Sequence, residues 1–261
     1  MTDGERVLTL LDNKESLVAM VAPSFPIMYG YPEIVTKLKT LGFQYVVEVS
    51  AGAKKTNEEV AVLLKNNPTS RFITSPCPGF VRYVRTKHPE FIKYLAFQAD
   101  SPMVATAKIV HQIYPNHKAI FIGPCMVKKL EASEDYPELN ILVLTYRELD
   151  LMIKTKSLTT IPTNVNDTFD IAERSTRIYP FDGGLSDTSG IRSILTDDEI
   201  RIGSGYKNCE TLLQEFEANK EIRFLDILFC DGGCISGPGI TSTLSVTERK
   251  KKVLDYANSI A

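Results

Sequence analysis

Five cysteines are the side chains of this sequence best suited to chemistry: Cys77, Cys125, Cys209, Cys230 and Cys234. Cys77 follows an apolar run ending at Thr74, Cys125 one ending at Ile122, and Cys230 one ending at Phe229. Cys234 lies four residues after Cys230, with Asp231-Gly232-Gly233 between them. If those runs are strands of open α/β sheets, the loops at their carboxyl ends converge on a crevice where ligands bind. The paired glycines let a Cys-x-Gly-Gly-Cys turn double back and approach a bulky inorganic body. Four thiolates so placed suit a cubane iron–sulfur cluster. Two alternatives stay open: ordinary buried thiols, since cysteine is among the most interior residue types, and zinc. Structural zinc sites usually pair close Cys-x-x-Cys knuckles, and only one close pair exists here, at wider spacing. Cys209, at a helix start in Lys207-Asn208-Cys209-Glu210-Thr211, reads as a buried helix residue.

The elements that must position these loops alternate in type. Apolar runs at Ser16–Ala22, Phe43–Val49, Arg71–Thr74, Ala119–Ile122, Ile141–Leu144 and Phe224–Phe229 predict strands. Helices are expected at Pro32–Leu41, stopped by Gly42, and at Asn57–Lys65, Asn208–Asn219 and Val246–Ile260. Ser101-Pro102 starts another, a cap followed by proline, that runs to Tyr114, and Thr145 caps one from Tyr146 to Lys154. The stretch from Thr155 to Asp198 predicts loops, and Gly203-Ser204-Gly205 a turn without the lysine of a phosphate loop. The alternation predicts α/β architecture with parallel or mixed sheets and no clean linker across residues 1–261.

Composition narrows the function. Thirty Lys+Arg against 32 Asp+Glu in 261 residues give a net charge of −2, which offers nothing to attract nucleic acid or an anionic membrane. No apolar stretch is long enough to span a bilayer, and Met1–Arg6 lacks the pattern of a leader. Five cysteines are too few and odd in number for a disulfide framework, so a cytoplasmic protein with free thiols is expected. His88, His111 and His117 read as surface or core residues, not ligands.

The words around the cysteines resemble the three signature loops of iron-only (FeFe) hydrogenases, in order. They are Thr74-Ser75-Pro76-Cys77-Pro78-Gly79-Phe80, Gly123-Pro124-Cys125-Met126-Val127-Lys128-Lys129 and Cys230-Asp231-Gly232-Gly233-Cys234-Ile235-Ser236-Gly237. Ala22-Pro23-Ser24, Ser101-Pro102-Met103 and Leu144–Leu149 also match, and the likeness runs from about Leu17 to the end. The resemblance implies two intertwined α/β lobes with partial duplication and a metal cluster in the cleft between them. It further implies an H-cluster: a 4Fe–4S cubane held by Cys77, Cys125, Cys230 and Cys234, with Cys234 bridging to a diiron subsite bearing CO, cyanide and azadithiolate. By the same carry-over Lys128 faces a cyanide, Pro23 and Ser24 line the dithiolate, and Ala22, Met103, Gly123, Pro124 and Leu228 shape the pocket. Asp182-Gly183-Gly184-Leu185 resembles a segment that passes near the diiron site.

The departures from the family pattern are equally specific. The family's proton-relay cysteine is Pro76 here, its methionines are Gly123 and Leu228, and a serine of the proton path looks replaced by Ala96. Glu58 or Glu59 matches a carboxylate of that path. Pro76 with Gly-Pro-Cys resembles the family's sensory branch, which implies slow reversible H2 chemistry or hydrogen sensing. The competing expectation is a cubane-only electron-transfer or iron–sulfur assembly module without the diiron unit, like the eukaryotic hydrogenase-like proteins. Expected partners are H-cluster maturation proteins and a ferredoxin-like donor, or a fused domain, since no Cys-x-x-Cys-x-x-Cys run of a ferredoxin-like domain occurs in these residues.

Overall fold

One chain threads two parallel sheets alternately. The computed structural model describes residues 1–259. Helix α1 (Asp3–Asp12) precedes β1 (Leu17–Val21), α2 (Glu33–Leu41) and β2 (Tyr45–Glu48), and α3 (Ser50–Asn66) then crosses to β3 (Phe72–Ile73) of the second sheet. Helices α4 (Pro78–Lys87) and α5 (Pro102–Ile113) return the chain to β4 (Lys118–Gly123), α6 (Lys128–Leu130), β5 (Leu142–Thr145) and α7 (Tyr146–Thr155). The second sheet is completed by α8 (Gly184–Thr188), β6 (Ile200–Ser204), α9 (Tyr206–Ala218) and β7 (Phe224–Leu228), before α10 (Val246–Asn258). Strand orders are β2-β1-β4-β5 and β3-β7-β6, and every pairing between these strands is parallel. The expected interleaved α/β lobes are therefore present, with parallel rather than mixed sheets.

Parallel sheets covered by helices bury both strand faces, which is why β1 reads Leu-Val-Ala-Met-Val without a polar residue and is wholly buried. Register then sets the crevice. Val21 pairs with Ile122, so the loops after β1 and β4 leave the first sheet side by side. In the second sheet β3 stops early, and Thr74 ties its exit to β7: Thr74 N–H donates to Leu225 O, and Thr74 Oγ1 accepts from Ile227 N–H.

Four elements differ from the sequence expectation. Helix α1 begins at a Thr2/Glu5 capping box in a stretch read only as polar. Helix α3 starts at Ser50 rather than Asn57: Ser50-Ala51-Gly52, which would close the preceding strand, instead begin the helix, and Gly52 sits close against Pro102 and Thr106 of α5. Helix α4 follows Cys77 directly, with Pro78 at its first position. Strand β6 includes Gly203 and Ser204, whose weak local signal is outweighed by pairing along β7. The expected end of the last helix at Ile260 lies outside the described residues.

Glu48, at the carboxyl end of β2, fastens distant segments to this frame. It is fully buried, and its Oε2 accepts from Arg177 Nε (3.1 Å) and from the Tyr256 hydroxyl (3.0 Å) of α10. Burial pushes its pKa from 4.5 to about 7, although Arg177 and Tyr256 pull it down. A carboxyl that binds its proton more tightly when folded loses stability as pH rises from the unfolded toward the folded pKa. Glu48→Gln should therefore flatten the decline in stability between about pH 4.5 and 7 in thermal denaturation series. An unchanged slope would show that Glu48 titrates normally.

Candidate metal centre

The cysteines arrive on loops whose start is set by the strands and whose sulfurs are met by backbone N–H groups. Cys77 caps the amino end of α4, where Gly79 and Phe80 N–H approach its sulfur, and Phe229 N–H donates to it from across the crevice at 3.5 Å. Cys125 is approached likewise by Val127 and Lys128 N–H. Such unpaired donors at a helix start favour negative charge on sulfur. Between Cys230 and Cys234, Gly232 and Gly233 adopt positive φ of 73° and 93°, a backbone that L side chains resist. A Cβ at Gly233 would lie 2.5 Å from Pro180 O, the acceptor that fixes Cys234 N–H at 2.8 Å.

The four cysteines are linked electrostatically around Cys234, and Cys209 is linked to Cys77 and Cys230 as well. Burial pushes the Cys125 thiol up to about 11 and Cys230 to about 12, and raises Cys77 and Cys234. Cys77, Cys125 and Cys230 each add to the upward shift of Cys234, while Lys128 opposes it. Among the described residues no three His, Cys, Asp or Glu side chains converge tightly enough for a single metal ion. A cubane holds its four ligands further apart than one ion does. Four thiols that feel one another, facing N–H donors and one ammonium, fit an iron–sulfur cluster, whose iron would displace the thiol protons.

Beyond Cys234 and Cys125 lies an apolar cavity. It is lined by Ala22, Pro23, Ser24, Met103, Pro124, Lys128 and Leu228, all expected from the sequence, and by Pro76, Phe121 and Tyr179. Gly123 does not line it. A Cβ there would meet the Phe121 ring at 2.7 Å, so Phe121 occupies the space that a larger residue at 123 would take. Cys77 and Cys230 stand outside the cavity, and Cys77 packs against the core of the second sheet.

Lys128 is the cation at this boundary, only 8% exposed. Its Nζ donates to Ser101 Oγ (3.0 Å) and Pro76 O (3.3 Å) and pairs with Glu131 at 2.5 Å. A buried charge needs such partners, and of the three only Pro76 also lines the cavity, whereas Ser101 and Glu131 border a neighbouring one. Lys129, one residue on, pairs with Glu148 and Asp3 near the surface. Ser24 is held by a residue that sequence reasoning did not assign to the site: buried Tyr146 donates to Ala22 O (2.9 Å) and accepts from the Ser24 hydroxyl (2.8 Å). Its only sequence signal was the matching word Thr145-Tyr146.

Other expected positions fall elsewhere. Glu58 is exposed beside Lys55, and Glu59 accepts from Asp100 N–H, so neither borders the cavity. Ala96 is buried against β3, its backbone joined to Ile73 and Ser75, and is no member of the cavity wall. The Gly183-Gly184 segment also stops short, although Tyr179 and Pro180 just before it line the cavity. His88 pairs with Glu210, and His117 packs on Tyr45 and Tyr114. Cys209 is fully buried on α9, as expected of a helix core residue.

Residues 15–238 match the family model described as iron only hydrogenase large subunit, C-terminal domain. The chain belongs to that family. It is 26% identical to iron hydrogenase 1 of Clostridium pasteurianum over 79% of the chain and 45% of that protein. It is also 23% identical to the probable cytosolic Fe-S cluster assembly factor oxy-4 of Caenorhabditis elegans, over 85% of the chain and 60% of that protein. The chain thus spans about half the length of these relatives. The fold matches a variant of the [FeFe]-hydrogenase HydA1 of Chlamydomonas reinhardtii with a TM-score of 0.76 and 17% identity, over the whole chain and 89% of that one. Among the described residues no helix is long and apolar enough to cross a membrane.

The ligand set is tested by iron content. Reconstitution with iron and sulfide should give about four irons per chain, the content of one cubane. Cys125→Ser should lower that count and Cys209→Ser leave it unchanged. Loss of iron from the Cys209 variant would mean the ligand set is different.

Proposed function

We propose that this chain is an H-cluster domain performing slow reversible hydrogen chemistry, H2 ⇌ 2H+ + 2e−, of a kind suited to hydrogen sensing. One observation carries the reading. The apolar cavity beyond Cys234 is bounded by Lys128 and Ser24, a space that a cubane alone has no use for. Cys77, Cys125, Cys230 and Cys234 would hold the cubane, and Cys234 would also reach the diiron subsite. Bound there, the cluster supplies the redox chemistry of the hydrogen couple. The protein supplies a dry wall, a cation beside anionic cyanide, and a hydroxyl at Ser24 oriented by Tyr146. Pro76 lines the cavity but has no proton to give, so proton delivery limits turnover.

A cubane-only role in electron transfer or iron–sulfur assembly is the second reading. It is favoured by Pro76 and by the likeness to oxy-4 and to the cytosolic Fe-S cluster assembly factor NAR1 of Yarrowia lipolytica, 28% identical over 51% of the chain. In either role we expect a cytoplasmic setting and a ferredoxin-like donor or fused electron-transfer domain, with maturation proteins added in the first.

Infrared spectroscopy of anaerobically matured protein separates the two, because iron-bound CO and cyanide absorb where protein does not. Bands of both are expected; four irons per chain without them would favour the second reading. In loaded protein Pro76→Cys should raise hydrogen evolution by up to about 10²-fold, the lower end of what a positioned acid–base group contributes. Turnover already as fast as that of relay-containing relatives with the same donor would count against slow proton delivery.

A further inference from the structure

The hydroxyl protons around Ser24 can be placed one by one. Ala22 O is a carbonyl and can only accept. It takes the Phe25 N–H at 3.1 Å and the Tyr146 hydroxyl at 2.9 Å, one bond for each lone pair. Tyr146 has a single O–H proton, and burial keeps that proton on the phenol far above the ordinary range. With the proton committed to Ala22 O, the Tyr146 oxygen meets Ser24 Oγ at 2.8 Å as an acceptor. The one hydroxyl proton of Ser24 therefore lies in that bond. Both side chains are sealed from bulk water, which competes for neither bond.

Tyr146 is held where it can do this. It opens α7 behind the Thr145/Glu148 capping box. Tyr29 packs edge-on against its ring, centroids 6.1 Å apart, and fixes itself to the same helix by donating to Asp150 at 2.7 Å. Ser24, in turn, lines the cavity. What its oxygen can offer a molecule bound there is a lone pair and never a proton. Lys128 on the same lining is the opposite case, a cation whose ammonium carries N–H groups and no lone pair. The two polar points of the wall are thus opposite in kind.

We propose that Tyr146 is a positioning residue that makes Ser24 an acceptor-only contact, so that the cavity at Ser24 takes an N–H or O–H group and turns away an anionic acceptor. Applied to a diiron subsite, the proposal rests on the hydrogen reading. Of the groups such a subsite carries, CO and cyanide have no hydrogen to give, whereas the azadithiolate amine has one. Ser24 would accept from that amine, and Lys128 would balance the cyanide charge. The same placement of protons closes a route. The Ser24 proton is held by Tyr146 and the Tyr146 proton by a carbonyl, which has none to pass on, so Ser24 does not replace the donor that Pro76 lacks.

The first test needs no metal. The C–O stretch of a phenol falls when its oxygen accepts a hydrogen bond and rises when its O–H donates one. In the full chain carrying isotope-labelled tyrosine, Tyr146→Phe identifies the Tyr146 band in infrared difference spectra. Ser24→Ala should then shift that band upward, because the phenol loses the bond it accepts and keeps the one it donates. A band that stays put or falls would mean that Tyr146 donates to Ser24, and the proposal would be overturned. Ser24→Gly makes the same measurement should Ser24→Ala fail to fold. In matured protein, the cyanide bands of Ser24→Ala should respond to deuterated water as those of the unmodified chain do. A cyanide band that loses its deuterium sensitivity in the variant would show Ser24 donating to cyanide, which refutes the proposal and leaves the hydrogen reading intact. Absence of iron-bound CO and cyanide bands from the unmodified protein would instead overturn the hydrogen reading, and the phenol band alone would then decide whether Ser24 is acceptor-only.

Discussion

Everything in this protein follows from bringing four cysteine sulfurs, carried by two separate sheets, into one crevice of low dielectric. Ligation requires them as thiolates, and burial opposes that charge, as the raised Cys77, Cys125, Cys230 and Cys234 thiols record. The fold offsets part of the cost with what parallel α/β structure provides at strand ends. Backbone N–H groups at the starts of α4 and α6 face Cys77 and Cys125, and Lys128 adds a full charge. A bound metal would supply the remainder, and its binding would then be coupled to thiol deprotonation.

The same crevice explains why the chain alternates between sheets. The loops after β1 and β4 deliver Ala22–Ser24 and Pro124–Cys125 side by side, and those after β3 and β7 deliver Cys77 and Cys230. Neither sheet alone carries the four cysteines. Residues that fasten the sheets, such as Tyr146 on the Ala22–Ser24 loop and Thr74 on β7, therefore control the site without touching its chemistry. Glu48 does the same for the segment around Arg177, from which Tyr179 and Pro180 reach the cavity.

Within that frame the cavity is shaped by exchanges of bulk and of proton supply. Phe121 fills the space beside Gly123, keeping the wall continuous and apolar. Pro76 keeps the loop before Cys77 in contact with Lys128 through its carbonyl, but contributes no donor. The family includes relatives named as hydrogenases and others named as assembly factors.

The cysteine loops and most of the sheet framework were legible in the sequence because their signals are local. Apolar runs such as Leu17–Val21 must be buried on both faces, and Cys-x-Gly-Gly-Cys carries its own backbone geometry in the positive φ of Gly232 and Gly233. Short words along the chain, those around Cys77, Cys125 and Cys230 among them, pointed to most of the residues that line the cavity. What only the tertiary structure decided depends on partners far along the chain. Tyr146 meets Ser24 across 122 residues, and Glu48 meets Arg177 across 129. Strand β6 exists through its pairing with β7. Tyr179, whose own segment carries no distinguishing motif, acquires chemical meaning from its place on the cavity wall. Burial and long-range hydrogen bonding set the properties of such groups, and neither is a property of neighbouring residues in sequence.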